Sequence, residues 1–315
     1  MKAKTTDYIG AYAGFLRTFL DVHRPLRVVF DSSNGTTGPV LQKLFKTYKL
    51  ITYNLINSVP NGRFPAHGPD PFAPGAMDDL SRAVRRMRAD LGAIFDADGD
   101  RAFFVDDMGR PVPTDAIAGL IGRNVRGPVI LDLRSGYLAH ELLRAAHKRI
   151  IVSRVGHYFI KKLMRKERVP FAAEFSGHYY FKNFFSCDSG IVTVINVMNA
   201  VSRMSSFGAW VDSLSRYYSS GEMNFKVEDK AGIMERIYRA YRSRARRVSR
   251  MDGLKMEFGP KRASHSEASA KEWWLLVRPS GTEDLLRVTV ETKRKEIFTR
   301  AVRKLRALAN GAAKS

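Results

Sequence analysis

Three carboxylates alternate in Asp96-Ala-Asp-Gly-Asp-Arg101, directly behind the apolar run Leu91-Gly-Ala-Ile-Phe95. Asp96, Asp98 and Asp100 can aim three hard oxygen donors at one point, and Gly99 lets the chain curl around it. That donor set suits Mg²⁺, which favours carboxylate oxygens in near-octahedral geometry. Without a cation, three close carboxylates repel and their pKa values rise. A solvated acidic turn is the plainer alternative, but it is weakened by the preceding buried strand and by Arg101 closing the loop. A second polar loop, Glu174-Phe-Ser-Gly-His178, places a carboxylate, a hydroxyl and an imidazole within five residues. Glu174, Ser176 and His178 offer both donors and acceptors, as a hydroxyl-rich ligand needs; alone, the segment reads as a polar turn. The third loop is Arg278-Pro-Ser-Gly-Thr-Glu283. Its guanidinium, two hydroxyls and glycine-flanked amides make a phosphate cradle from Arg278, Ser280, Gly281 and Thr282.

These loops need a scaffold that holds them at the ends of strands, where ligands of α/β proteins sit. Helical spacing of Tyr8, Ile9, Tyr12, Phe15, Leu16, Phe19 and Leu20 predicts an amphipathic helix from Thr5 to about Val22. The run Leu26–Phe30 predicts a buried strand that enters the turn Asp31-Ser-Ser-Asn-Gly35 and a helix from about Gly38 to Thr47. A helix over Ala76–Met87, the strand Leu91–Phe95 and a hairpin from Ala102 through the turn at 107–109 follow. The pattern restarts at Pro128–Asp132, with a helix at Tyr137–His147, a strand at Ile150–Arg154 and a helix at His157–Lys166. Ala172–Phe181 reads as loop, then strand, and Gly190–Met204 as an apolar helix. Ser219-Ser-Gly221 suggests a linker. Beyond it come a basic helix, an irregular polar stretch from Gly259 to Ala270, strands at Trp273–Val277 and Leu286–Glu291, and a last helix at Lys295–Leu308. Strand–helix alternation gives an α/β class: two three-layer αβα domains over 1–121 and 122–222, like repeats of one design, then a small α+β C-terminal domain over 223–315.

The chain has 315 residues, 44% of them hydrophobic and 27% charged, as in ordinary globular proteins. No apolar run approaches the roughly 20 residues of a membrane span, and the N-terminal pattern, broken by Asp7, Arg17 and Asp21, does not form a signal peptide. A single cysteine, Cys187, cannot form an internal disulfide and fits a reducing, cytoplasmic setting. The net charge of +22 is unusual. Arg236, Arg239, Arg242, Arg244, Arg246, Arg247 and Arg250 form its densest stretch. No aromatics are interleaved from Arg242 to Arg250, so a solvated basic helix face is favoured over a nucleic-acid surface.

In this order and at these separations, the three loops resemble the α-D-phosphohexomutase family of phosphomannomutase/phosphoglucomutase type. The family carries an Asp-Gly-Asp-Gly-Asp-Arg metal loop, a Gly-Glu-x-Ser-Gly-His sugar loop and an Arg-Pro-Ser-Gly-Thr-Glu-Pro phosphate loop. Here Ala97 and Ala173 replace the first glycines, and Asp284 replaces the last proline. The resemblance extends through Asp31–Gly35, Phe64–Pro71, Val155–His157, Ile160–Lys162 and Asp188–Ile191. It implies that Asp96, Asp98 and Asp100 hold Mg²⁺, and that Arg101 approaches the phosphosugar. Glu174, Ser176 and His178 would contact the sugar, and the Arg278–Thr282 loop its non-transferred phosphate. The family's acid/base positions fall on Arg134 and His157. A guanidinium is too basic for easy proton transfer, so Arg134 is assigned electrostatic stabilisation and His157 the proton. His178 leans towards the mannose/glucose branch.

The resemblance also implies an isomerase: an intramolecular phosphotransferase of carbohydrate metabolism acting on hexose phosphates. The family reaction needs a phosphoserine in a Thr-Ala-Ser-His-Asn-Pro-like loop of an N-terminal domain. This sequence starts at the helix that follows that domain, and Ala263-Ser-His-Ser266 imitates the loop only by coincidence. The expectation is that a separate serine-bearing polypeptide completes the enzyme, or that the chain is one part of a longer one. A non-catalytic phosphosugar-binding protein and, behind it, a basic nucleic-acid-binding protein are the alternatives. No membrane partner is expected.

Overall fold

The computed structural model describes residues 7–260, 272–281 and 283–310. They form two compact units, one of residues 1–135 with 139–214, the other of residues 136–138 with 215–315.

In the first unit, helix α1 (Tyr8–Arg17) is capped by the Asp7 carboxylate, which accepts from the Gly10 amide at 2.9 Å. Arg17 in its last turn donates to the carbonyls of Leu44 (3.0 Å) and Lys43 (2.7 Å). These belong to helix α2 (Thr37–Phe45), so one guanidinium joins the ends of two helices. The first sheet takes β1 (Leu26–Asp31), β2 (Ile51–Ile56), β3 (Leu91–Phe95), β4 (Ala102–Val105) and β5 (Pro111–Val112) in the order β2-β1-β3-β4-β5. β1 is parallel to both neighbours, and β3, β4 and β5 pair antiparallel. Every residue of β3 and β4 is buried, as expected for strands covered on both faces. Helices α3 (Asp78–Met87) and α4 (Thr114–Gly122) complete this half.

The second half of the unit repeats the plan. β6 (Val129–Asp132), β7 (Ile150–Ser153), β8 (Phe171–Ala173), β9 (Tyr179–Phe181) and β10 (Cys187–Asp188) form the order β7-β6-β8-β9-β10. β6 is parallel to β7 and β8, and the remaining pairs are antiparallel. Helices α5 (Tyr137–Ala145), α6 (His157–Glu167) and α7 (Gly190–Val201) occupy the places of α2, α3 and α4, and α8 (Phe207–Asp212) follows. The two sheets therefore have one topology, with β1 equivalent to β6 and β3 to β8. α4 and α7 are buried almost all round and pack on each other.

The second unit is an antiparallel sheet of β11 (Tyr218–Ser219), β12 (Met223–Lys226), β13 (Arg247–Ser249), β14 (Leu254–Phe258), β15 (Trp273–Pro279) and β16 (Leu285–Thr292). Helices α9 (Lys230–Tyr241) and α10 (Lys295–Asn310) contribute to its core. Ile233, Ile237 and Tyr241 of α9, and Ala301, Leu305 and Ala309 of α10, recur every four residues. They meet the alternating Leu254, Met256 and Phe258 of β14. Among the described residues no helix is long and apolar enough to cross a membrane.

Three local expectations need correction. Residues 172–181 run strand, loop, strand, because Phe171–Ala173 pairs with β6 despite two alanines with little intrinsic strand preference. The suggested linker contributes β11, whose Tyr218 and Ser219 pair with Thr292 and Glu291. The arginine-rich stretch is not one helix: α9 gives way to a 3₁₀ turn at Arg242–Arg244 and then to β13. Of the polar stretch 259–270, residues 261–270 lie outside the described residues, as does the Ala263-Ser-His-Ser266 imitation.

Candidate active site

Each half of the first unit ends its leading strand on a buried aspartate. Asp31 closes β1 and Asp132 closes β6, and neither is accessible to solvent. Both bend the chain back on their own carboxylates. The Ser33 amide donates to Asp31 Oδ1 (2.9 Å), and the amides of Arg134 (2.7 Å) and Ser135 (3.1 Å) to Asp132 Oδ1. Asp31 spends its other oxygen on Asn57 Nδ2 (3.0 Å) and His67 Nε2 (3.1 Å). Asp132 spends its other oxygen on Arg134, whose Nε lies at 2.8 Å and Nη2 at 2.5 Å.

The next pair of equivalent loops carries the predicted chemistry. Asp96–Arg101 joins β3 to β4, and Glu174–His178 joins β8 to β9. Each turns on a glycine in the left-handed region, Gly99 (φ +79°) and Gly177 (φ +88°). The loops meet: Arg101 and His178 form an antiparallel bridge, and the Ala102 amide donates to Gly177 O at 3.2 Å. Gly190, which opens α7, donates its amide to Gly99 O at 3.0 Å.

One oxygen atom from each of Asp96, Asp98 and Asp100 lies within 4.8 Å of the other two. This all-oxygen donor set fits a hard divalent cation. Asp96 is buried; its Oδ1 accepts from the amides of Gly99 and Arg101 (both 3.1 Å), and its Oδ2 from Arg101 Nε (2.6 Å). Burial nevertheless pushes its pKa up to about 6, against the pull of Arg101. Burial also raises Asp100, but the hydrogen bond and charge of His178 outweigh it and leave this carboxyl below its ordinary range. A second group, Asp100, His178 and Asp188, has the same compactness; there Lys161 Nζ lies 2.8 Å from Asp188.

The Glu174–His178 loop is held from both sides. Glu174 Oε1 accepts from the Gly156 amide (2.9 Å), and Oε2 from the Tyr180 hydroxyl (2.7 Å). Ser176 Oγ lies 3.2 Å from Arg134 Nη2 and 3.1 Å from His178 Nδ1. His178 Nε2 is 3.3 Å from Asp100. Burial lowers the pKa of this imidazole, but Asp100 and Glu174 more than compensate and raise it. Arg134, buried, is also 3.6 Å from Glu174. His157 stands exposed at the first turn of α6, next to Gly156 and so one residue from the amide that holds Glu174.

In the second unit, Arg278 pairs across the sheet with Arg287. Glu222 lies between their charges, 3.6 Å from Arg278 and 3.4 Å from Arg287. The Nε atoms of both arginines are buried without a hydrogen-bond partner among the described residues. Ser280 donates its amide to Leu285 O (2.8 Å) and accepts from the Glu283 amide through Oγ (3.2 Å). Gly281 is exposed, and Thr282 lies outside the described residues.

Sequence reasoning gave no role to Asp132, Tyr180, Lys161, Asp188 or Arg287, although Lys161 and Asp188 lie in segments that carry the family resemblance. Asp132 carried a usable signal, an aspartate ending an apolar strand just as Asp31 does. Tyr180 and Arg287 are joined to the site by folding alone. His67 offers a direct check on the Asp31 cluster. Its hydrogen bond to Asp31 raises its pKa against the effect of burial. A raised imidazole contributes stability that is complete below its ordinary value near 6.5 and is lost as pH climbs through the raised value. His67→Gln should therefore lower the melting temperature most at pH 6 and progressively less towards pH 8. A gap between variant and parent that stays constant over this range would contradict the assignment.

Family models match nearly the whole chain: phosphoglucomutase/phosphomannomutase alpha/beta/alpha domain II over residues 7–109, domain III over 113–218, and the C-terminal domain over 222–308. The chain belongs to the phosphoglucomutase/phosphomannomutase family. It is 31% identical over 292 residues to a phosphomannomutase of Methanocaldococcus jannaschii, covering 90% of this chain and 61% of that protein. It is also 31% identical over 296 residues to a phosphomannomutase of Salmonella typhimurium, covering 90% and 62%. The chain thus spans about three fifths of the length of these relatives. A phosphoglucomutase/phosphomannomutase family protein from Burkholderia thailandensis superimposes with a TM-score of 0.85 at 24% identity, over 99% of this chain and 66% of the other. A putative phosphomannomutase from Thermus thermophilus gives 0.72 at 18%, over 96% and 66%.

Proposed function

We propose that this chain supplies the metal, sugar and phosphate loops of a phosphohexomutase that interconverts hexose 1-phosphates and hexose 6-phosphates. The observation that carries this reading is the junction of the two loops in the first unit. There the Asp96–Asp98–Asp100 carboxylates adjoin the hydroxyl-binding set Glu174, Ser176 and His178, through the bridge of Arg101 to His178. The relatives named phosphomannomutase support the substrate class.

In this reading a phosphoserine, borne by a polypeptide segment other than these 315 residues, gives its phosphoryl group to a sugar hydroxyl. The serine P–O bond breaks as the sugar P–O bond forms, and the hydroxyl proton goes to a base. The bisphosphorylated sugar then turns over and returns its other phosphoryl group to the serine. Mg²⁺, bound by Asp96, Asp98 and Asp100, would neutralise charge on the transferring group. Arg101 stands beside that charge, held by Asp96. Glu174, Ser176 and His178 orient the sugar hydroxyls. Arg278, Ser280, Gly281 and Thr282 hold the phosphate that is not being transferred, and the buried Nε atoms of Arg278 and Arg287, without a hydrogen-bond partner among the described residues, support an anion there. His157 carries the proton, with its position beside Gly156 tying it to Glu174. Arg134 acts as a fixed cation whose orientation Asp132 sets. We assign these roles to domains over 1–121, 122–222 and 223–315, and place the protein in the cytoplasm, consistent with its one unpaired cysteine, Cys187.

The test is mutase activity on mannose 1-phosphate and glucose 1-phosphate with Mg²⁺, with and without an added polypeptide carrying the family's serine loop. Turnover that appears on addition supports the proposal. No turnover in either case, with saturable hexose-phosphate binding, would replace it with a non-catalytic phosphosugar-binding protein.

A further inference from the structure

The second unit holds a cavity of about 260 Å³ at the end of β15 remote from Arg278. Its wall is aromatic. Phe258 and Trp273, paired across β14 and β15, stack with centroids 3.8 Å apart and planes 11° from parallel. Tyr241 meets both edge-on, at 5.8 and 5.7 Å. Its rim is cationic. Arg244 ends the 3₁₀ turn after α9, and Arg300 and Lys304 stand one turn apart on α10, all three exposed. The Lys304 ammonium lies 4.8 Å from the Tyr241 ring centroid. Among the described residues no lining residue is acidic, and none of the three cations has a carboxylate partner. The Tyr241 hydroxyl is buried without a hydrogen-bond partner there. Burial raises its pKa, while Arg244 and Arg300 act on it in the opposite sense, so both charges reach that hydroxyl.

We propose that this cavity is a binding site for a nucleoside monophosphate, its base against Trp273 and its phosphate on Arg244, Arg300 and Lys304. Three like charges without a carboxylate partner among the described residues repel one another around one opening, and a dianionic phosphate relieves that repulsion. An aromatic wall favours a flat ring, and a base gains most where stacking and cation–π contact combine. The volume sits just under the range of about 300–1,000 Å³ for small-molecule clefts, so it suits one compact ligand with its anion at the mouth. The site is separate from the phosphate loop. Trp273 opens β15, and Arg278 lies five residues along it, about 17 Å at the rise of an antiparallel strand. The inference is independent of the mutase proposal.

The experiment titrates the full chain with adenosine 5′-monophosphate by calorimetry and by tryptophan fluorescence. Adenosine, inorganic phosphate and a single-stranded oligonucleotide are run in parallel. Saturable binding of the nucleotide is expected, at least tenfold weaker for adenosine or phosphate alone. An Arg244→Ser/Lys304→Ser variant, changed only at exposed side chains, should bind the nucleotide at least tenfold more weakly with an unaltered melting temperature. Arg278→Ala should bind it as the parent does. The proposal is overturned if no saturable binding occurs, or if Arg278→Ala loses binding that the double variant keeps. It is equally overturned if adenosine or phosphate alone matches the nucleotide, or if only the oligonucleotide binds, which would mean that the arginine-rich surface is used instead of the cavity.

Discussion

Replacing Asp98 with asparagine should reduce complemented mutase turnover about a thousandfold and abolish the rise in melting temperature that Mg²⁺ gives the parent. The first magnitude follows from the several kcal/mol a metal ion contributes to a charged transition state, at about 1.4 kcal/mol per tenfold in rate. The second follows from linkage: a ligand present at about 100 times its Kd stabilises the folded chain by about 2.7 kcal/mol. Asp98 is the exposed member of the three, whereas Asp96 is buried and bonded to Arg101. The substitution therefore removes one charge of the proposed metal site without stranding a buried partner. Asp96 and Asp100 keep their own partners, Arg101 and His178, so the metal-free variant should melt close to the temperature of the metal-free parent. Thermal melts with EDTA and with Mg²⁺ read both effects without any turnover. An Asp98→Asn protein that keeps the full Mg²⁺ shift would remove this loop as the metal site.

Much of this arrangement was legible in the sequence because strands of the first unit are buried on both faces. Leu91–Phe95 reads as a continuous apolar run for that reason, and the carboxylates behind it can only lie at its carboxyl end. α9 and α10 were equally plain, since burial every four residues leaves a helical period. β2 escaped notice: Ile51-Thr-Tyr-Asn-Leu-Ile56 forms the sheet edge and, beyond Ile51, is half-exposed or exposed. Its alternation is diluted by polar residues that the edge tolerates. β8 escaped because its conformation is imposed by pairing with β6, not by Ala172 and Ala173. At the site, the ligand loops were found because their residues are contiguous. The groups that hold them are scattered: Gly156 reaches Glu174, and Asp188 reaches Lys161, only through the fold. The repeat was visible as a rhythm of elements, but its consequence was not. The Asp96–Arg101 loop and the Glu174–His178 loop occupy the same topological position in two copies of one sheet, which is why they can meet through Arg101 and His178.

The same duplication sets up the largest stability effect, at Asp132. In the first half of the unit the equivalent Asp31 holds neutral or titratable partners, Asn57 and His67. In the second half Asp132 holds a permanent cation, Arg134, which is itself buried. Asp132→Ala should therefore lower unfolding free energy by about 3–5 kcal/mol, the usual cost of breaking a buried pair from one side. The loss is large because the carboxylate has several dependants. It accepts from the amides of Arg134, Ser135 and Phe175 as well as from the guanidinium. The reverse change, Arg134→Met, should cost less, about 1–3 kcal/mol, because Asp132 keeps those three backbone donors. Activity should separate the two residues differently. Arg134→Met removes the fixed cation from Ser176 and Glu174, so complemented turnover should fall strongly in a protein that still folds. Urea denaturation of both variants beside the complemented assay provides the comparison. Equal losses of stability would mean that the backbone donors around Asp132 contribute little. An Arg134→Met protein with parental turnover would reduce Arg134 to a structural partner of Asp132.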